Sequence, residues 1–483
     1  MVENNKLSII TITIITFSLL IGTTLRIYNI NYENFWLDEI LTFWISDPSI
    51  SIAESYERHL SLEQVPFFFN LLTKFTHKIF GYETYIGRYL TAFFGTMSIL
   101  SVAYISRIIK KNDAYLLTIF LVSLNVFLIA YSQELRIYSI TLFIVSINLI
   151  FLLKMQNEDN KKLSLFFFLF LFTQILMIFS HPFNLIVFFS IILFSFYNFV
   201  VLKKNLFKLN LALALISIFV LIYFFFYFKY ISSFPGWISQ PDLKFYTNFY
   251  FSKFFGSRIV GLIHLIILIS LIYYFKNQIK RNTNNIIILI FIVFLSYFLP
   301  LLYGYIFRPI IFPRYIIFVI IPIIVLISYF IFELKNRLLR NLLVLLIVVL
   351  TLGNQFTETN IKQFFKDRVN HKPNYISMLN EINNSDSKYY FVQINDPIIN
   401  IDDVEKAYSN YFIKLSNENN LGINLIKINK LDEIKINKVW FVCFAHLSNN
   451  DCLEDRKPFN YKILKTKNFS GLSLRLIEKL NNK

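Results

Sequence analysis

Long apolar stretches, broken by short charged ones, recur along the chain. A helix that crosses the hydrocarbon of a bilayer needs about 20 mostly apolar residues, with a range of about 17–25. Charge-free runs of this kind lie at 7–25, 89–106, 114–133, 137–153, 163–180, 182–202, 209–228, 259–275, 282–307, 315–332 and 341–357. They predict a polytopic α-helical membrane protein with about eleven transmembrane helices. The first run has only a weakly basic flank and no small-residue cleavage site after it. It reads as a retained span rather than a signal peptide.

One segment needs a decision. Residues 64–73 are apolar but short, and Lys74 and Lys78 follow. That pattern fits an amphipathic helix lying on the membrane better than a span. With this segment on the surface, five short loops fall on one side: Arg107, Lys110 and Lys111; Lys154, Lys161 and Lys162; Lys203, Lys204 and Lys208; Lys276, Lys280 and Arg281; Lys335, Arg337 and Arg340. Basic loops mark the cytoplasmic side. The expected topology is N-terminus in and C-terminus out.

Parity then defines the outer side. It holds the loops 26–88, 134–136, 229–258 and 308–314, a turn at His181, and the tail. The loop 229–258 includes the run Phe234-Pro235-Gly236-Trp237. The domain division expected is a transmembrane domain at 1–357 and an extracytoplasmic domain at 358–483. In the tail, 389–394 and 439–445 read as buried strands and 403–415 as a helix. Residues 461–467 and 472–477 read as a closing pair around Ser470-Gly471, which gives a small α/β domain. Cys443 and Cys452 lie there, where a disulfide is allowed by compartment and two free thiols are the alternative.

Composition changes little. The chain has 483 residues, 56% of them hydrophobic and 16% charged, against about 25% charged in soluble domains. A net charge of +17 would point to nucleic acid in a soluble protein; here orienting basic loops account for it, and no nucleic-acid partner is expected.

Candidate chemistry gathers on the outer side. Trp36-Leu37-Asp38-Glu39 follows the first span. It reads either as a solvated loop or as a general base beside a second acid, able to deprotonate an acceptor at the lipid surface. In Tyr131-Ser132-Gln133-Glu134-Leu135-Arg136-Ile137-Tyr138, an acid and a base interrupt two spans with almost no loop. Ionisable groups at that depth are costly and usually functional; the plainer reading is a turn-capping ion pair. A planar guanidinium such as that of Arg136 matches a phosphate. Arg88, Arg308 and Arg314 also sit at outer span ends, with Lys229 and Arg258. Singly they read as snorkelling anchors; together they suit a lipid-linked phosphate. No motif fixes a cofactor. One divalent metal ion, held by Glu63 and His181, is the only candidate. No nucleotide-binding loop is present, which points to a lipid-borne donor.

At these residues the chain resembles bacterial relatives of the dolichyl-phosphate-mannose–protein mannosyltransferases. These have the type C glycosyltransferase fold, which the aminoarabinose transferases of lipid A share. The resemblance rests on Trp36-x-Asp38-Glu39, Tyr131-Ser132-Gln133-Glu134-x-Arg136-x-Tyr138, Phe80-Gly81 with Arg88-Tyr89, and Arg314-Tyr315, and covers roughly 7–320. It implies an inverting hexosyl- or pentosyltransferase in the bacterial cytoplasmic membrane, acting on its outer face with a polyprenyl-phosphate sugar donor. The acceptor would be a protein, lipid or glycan. It further implies Asp38 as base, Glu39 orienting it or the acceptor, Glu134 as a second acid and Arg136 on the donor phosphate. The family's His/Asp-Pro-Pro stretch is replaced by Glu63-Gln64-Val65-Pro66. Rival readings are a lipid-linked glycan polymerase or ligase, a polyprenyl-linked sugar transporter, and a structural membrane protein.

Overall fold

The computed structural model describes every residue except 1–8, 64, 111, 158–162, 205, 234–237, 278–283, 357–371, 395–400, 427–436, 445–460, 470–471 and 481–483. The 234–237 run, the Ser470-Gly471 turn and Cys452 therefore lie outside the described residues. Contacts divide the chain into two compact units: Met1–Tyr28 with Thr91–Asp367, and Asn29–Leu90 with Arg368–Lys483. The sequence division kept the loop 26–88 with the spans; by its contacts, 29–90 groups with the C-terminal residues instead.

The first unit is helical. Among the described residues, seven helices are long and apolar enough to cross a membrane, or eight if Ala114–Ser123 and Val126–Ser132, bent by 52°, form one span. Leu165–Ser180 and Arg258–Tyr274 are shorter apolar helices. Backbone groups inside a bilayer must be satisfied within the protein, and the bent pair shows how. The break frees carbonyls that a continuous helix would pair. Arg26, fully buried at the end of Ile9–Ile27, donates to Ser123 O at 2.9 Å and Val122 O at 3.0 Å, and to Gly22 O at 2.8 Å. Gln355 donates to Leu124 O. The Asn125 side chain caps the second half by accepting from Leu128 N at 3.0 Å. Gly95 lies against that second half, where any Cβ would overlap the Ser132 side chain.

The second unit holds the helices Leu37–Ile45, Ile52–Leu62 and Phe68–Phe80, the first residues of Thr84–Ile109, the helices Tyr375–Asn383 and Ile401–Glu418, and a sheet. The segment rejected as a span begins the helix Phe68–Phe80. That helix buries Phe69, Asn70, Thr73, Lys74 and His77 and packs on Leu37–Ile45.

The sheet comprises β1 (Tyr389–Ile394), β2 (Asn424–Leu425), β3 (Lys438–Phe444), β4 (Tyr461–Phe469) and β5 (Leu472–Lys479), in the order β2-β1-β3-β5-β4. β1 pairs in parallel with β2 and β3, and β5 joins β3 and β4 antiparallel. The crossover from β1 to β2 is Ile401–Glu418, as a parallel pair requires. β3 is an unbroken apolar run because it is central and covered on both faces. Cys443, on this strand, is held in a disulfide.

Candidate active site

The predicted residues fall into two sets, one in each unit. In the second unit, the Trp36-Leu37-Asp38-Glu39 motif forms the start of the Leu37–Ile45 helix. Trp36 N donates to Glu39 Oε2 at 3.4 Å, and two acids in the first turn complement the helix dipole. The two carboxylates then part company. Glu39 is 0% exposed. Arg88 grips it side-on, Nε to Oε1 and NH2 to Oε2, each at 2.9 Å, and Lys372 Nζ reaches Oε2 at 2.8 Å. Burial alone would push the Glu39 pKa up, but Arg88 and Lys372 together outweigh it and bring it down to about 2. Asp38, one position earlier, is half-buried. Its charge reaches the buried Tyr408 hydroxyl, whose pKa, raised first by burial, is about 12.

The turn carrying Asp38 is tied to the C-terminal residues of the same unit. Phe35 N donates to Tyr411 Oη at 2.8 Å, the two rings stack with centroids 5.1 Å apart, and Asn34 Nδ2 donates to Pro373 O at 3.1 Å. Arg88 spends its remaining hydrogens here, on Ile30 O at 2.9 Å, Glu33 O at 2.7 Å and Asn34 O at 3.3 Å. A guanidinium has five N–H donors. All five of Arg88 are taken, so the phosphate-binding role expected for it has no hydrogen left to use.

Glu63 ends the Ile52–Leu62 helix. Its carboxylate accepts from Thr42 Oγ1 at 3.5 Å and Asn70 Nδ2 at 3.4 Å, and lies 4.0 Å from His59 Nδ1. The single Thr42 hydroxyl hydrogen is shared with Asp38 O, the nearer acceptor at 2.9 Å, so Glu63 belongs to a polar cluster one helical turn from Asp38.

The second set lies in the helical unit. Glu134 and Arg136 occupy the break between Val126–Ser132 and Tyr138–Gln156. Hydrogen bonds fix this break: Gln133 Nε2 to Leu25 O at 2.8 Å, Thr91 Oγ1 to Ser132 O at 3.1 Å, and Ser139 Oγ to Tyr131 O at 2.9 Å. Arg136 is 8% exposed, Arg314 9% and His181 3%. His181 and Arg314 come together around aromatic rings. His181 lies 6.1 Å from Tyr138 and 5.6 Å from Tyr315 between centroids, and the Arg314 guanidinium lies 5.8 Å and 5.7 Å from the same two rings. Burial first, then the charges of Arg136 and Arg314, lower the His181 pKa to about 3. Arg308 is half-buried in the segment between Asn284–Ile306 and Pro313.

Glu63 and His181, the expected metal pair, are described in different units, and the described residues hold no group of three or more His, Cys, Asp or Glu able to hold a metal ion. At His181 the flanking charges are cationic guanidiniums, which repel a divalent cation and favour an anion.

Sequence reasoning missed Lys372, Tyr411 and Arg26. Lys372 and Tyr411 reach the motif from over 300 positions away. Arg26 carried a signal, a guanidinium directly at the end of an apolar span.

No family model matches the chain, and no curated protein sequence does. Solved structures do. The chain is similar to ArnT from Cupriavidus metallidurans in the apo state, with a TM-score of 0.60, 11% identity and coverage of 96% of this chain and 97% of that one. The same enzyme bound to undecaprenyl phosphate gives a TM-score of 0.58 at 11% identity and the same coverage. The Archaeoglobus fulgidus oligosaccharyltransferase in the apo form gives 0.50 at 13% identity, over 84% of this chain and 60% of that one. At these identities the likeness is one of fold, and the type C glycosyltransferase fold expected from the motifs is the fold found.

Proposed function

We propose that the protein is a multi-pass membrane glycosyltransferase that moves a sugar from a polyprenyl-phosphate donor to an acceptor on the outer face of the bacterial cytoplasmic membrane. The observation that carries this reading is the buried His181 and Arg314 around the rings of Tyr138 and Tyr315, with the charge of buried Arg136 also reaching His181, a basic and aromatic site suited to a phosphate. Likeness along nearly the whole chain to a transferase fold seen with undecaprenyl phosphate supports it.

The chemistry needs few groups. The acceptor's hydroxyl or amine attacks the anomeric carbon with inversion. The bond from that carbon to the phosphate oxygen breaks, and the oxygen keeps the electron pair. Arg136 and Arg314 stabilise the charge that develops there, and Arg308 is placed by sequence to join them. Asp38 takes the proton the acceptor loses. Glu134, two residues from Arg136, is the second acid of the site. Glu39 acts on none of these atoms: it holds the turn that presents Asp38, with Arg88 and Lys372 as its partners. Glu63 supports the same helix through Thr42. The phosphate is a good leaving group, so positioning and charge stabilisation carry the reaction and no protein nucleophile is involved.

A lipid-linked glycan polymerase or ligase is the second reading, since a cluster of arginines and a histidine would serve a diphosphate as well. A labelled lipid-sugar assay with the purified protein separates the two. Release of polyprenyl monophosphate with transfer of the sugar supports the transferase. Release of polyprenyl diphosphate supports the polymerase or ligase, and release of neither rejects both.

A further inference from the structure

His181 is buried among aromatic side chains. It occupies the turn between the Leu165–Ser180 helix and the short 3₁₀ helix Pro182–Asn184, in an extended conformation. Its Nδ1 accepts a hydrogen bond from Phe183 N at 3.3 Å. In a neutral imidazole one nitrogen accepts and the other carries the hydrogen. Occupying Nδ1 as acceptor therefore makes Nε2 the donor. The rings of Tyr138, Phe183 and Tyr315 surround the imidazole at centroid distances of 5.6–6.1 Å. Burial first, and then the charges of Arg136 and Arg314, keep the ring uncharged. A buried neutral N–H donor that shares its aromatic surround with the Arg314 guanidinium and feels the charge of Arg136 is matched to an oxyanion: two charges to neutralise it and a third donor to orient it.

We propose that His181 is a ligand of the donor phosphate, donating from Nε2–H alongside Arg136 and Arg314. This rests on the reading of the protein as a polyprenyl-phosphate-dependent transferase and names a residue of that same site.

The test separates the two nitrogens. In His181→Asn the amide oxygen replaces Nδ1 and keeps the cap on Phe183, while the distal donor is lost. In His181→Gln an amide N–H reaches the place of Nε2. Binding of polyprenyl phosphate to the full-length protein in lipid nanodiscs is measured for each, with thermal unfolding as the check on folding. Wild type binds, His181→Asn unfolds at the wild-type temperature yet binds about tenfold more weakly, as loss of one hydrogen bond to a charged group predicts, and His181→Gln recovers most of the affinity. Wild-type affinity in His181→Asn, or equal loss in both variants, overturns the assignment while leaving the transferase reading intact. Failure of the wild type to bind removes that reading and the assignment with it.

Discussion

Arg88 holds Glu39 by both carboxylate oxygens, in the interior of the second unit, and Lys372 adds a third bond from the C-terminal segment. Removing one partner of such a pair strands an uncompensated buried charge, at a cost of about 3–5 kcal/mol. Glu39→Gln and Arg88→Met are each expected to lower stability by that order, measured as thermal unfolding in detergent. The double variant is expected to lose clearly less than the sum of the two. Strict additivity would show that the pair is not coupled.

Acid sensitivity follows from the same carboxylate. Its pKa is about 2 in the folded protein against an ordinary 4.5. Between those values the unfolded chain takes up a proton that the folded one does not, so folding loses stability as pH falls. The contribution of Glu39 is complete above about pH 4.5 and disappears as pH drops towards 2. Wild type minus Glu39→Gln, compared in unfolding temperature across that window, should narrow as pH falls. A difference independent of pH would contradict the assignment of charge.

Arg26 serves the helix break that leads into Glu134 and Arg136. Arg26→Met leaves the carbonyls of Val122 and Ser123 without their donor. The expected loss is about 2–3 kcal/mol, as for hydrogen bonds to a charged group. Donor turnover should fall as well, because the segment after Ser132 shifts. Arg26→Lys is expected to rescue little, since an ammonium lacks the planar fork that spans three carbonyls. Unfolding temperature and turnover, measured on the same preparations, check both.

Long apolar helices and the strands of the tail were legible in the sequence because each is a local pattern. Residues 389–394 were read as a strand and are β1; the helix read at 403–415 runs Ile401–Glu418. The two charged motifs were legible because charge at the end of an apolar run is rare. The split between Asp38 and Glu39 was not. Adjacent residues on a helix point about 100° apart, and only the partners decide which one faces inward. Those partners come from afar: Lys372 is 333 positions from Glu39. The same distance hid the grouping of 29–90 with the C-terminal residues, which rests on pairs such as Phe35 with Tyr411, Ser61 with Asp403 and Thr84 with Glu418. The basic loop ends looked alike in the sequence, whereas the structure commits Arg88 to Glu39 and sets Arg314 against the rings around His181.

Asp38→Asn tests the central claim most directly, because Asp38 is half-buried and the change keeps its size. Turnover of a labelled polyprenyl-phosphate sugar is measured in parallel for wild type and variant, together with binding of polyprenyl phosphate. Wild type is expected to release polyprenyl monophosphate, and the variant to lose at least a hundredfold in turnover, in the range of about 10²–10⁴ for a general base, with unchanged binding. Wild-type turnover by Asp38→Asn, or no turnover by the wild type, would contradict that claim.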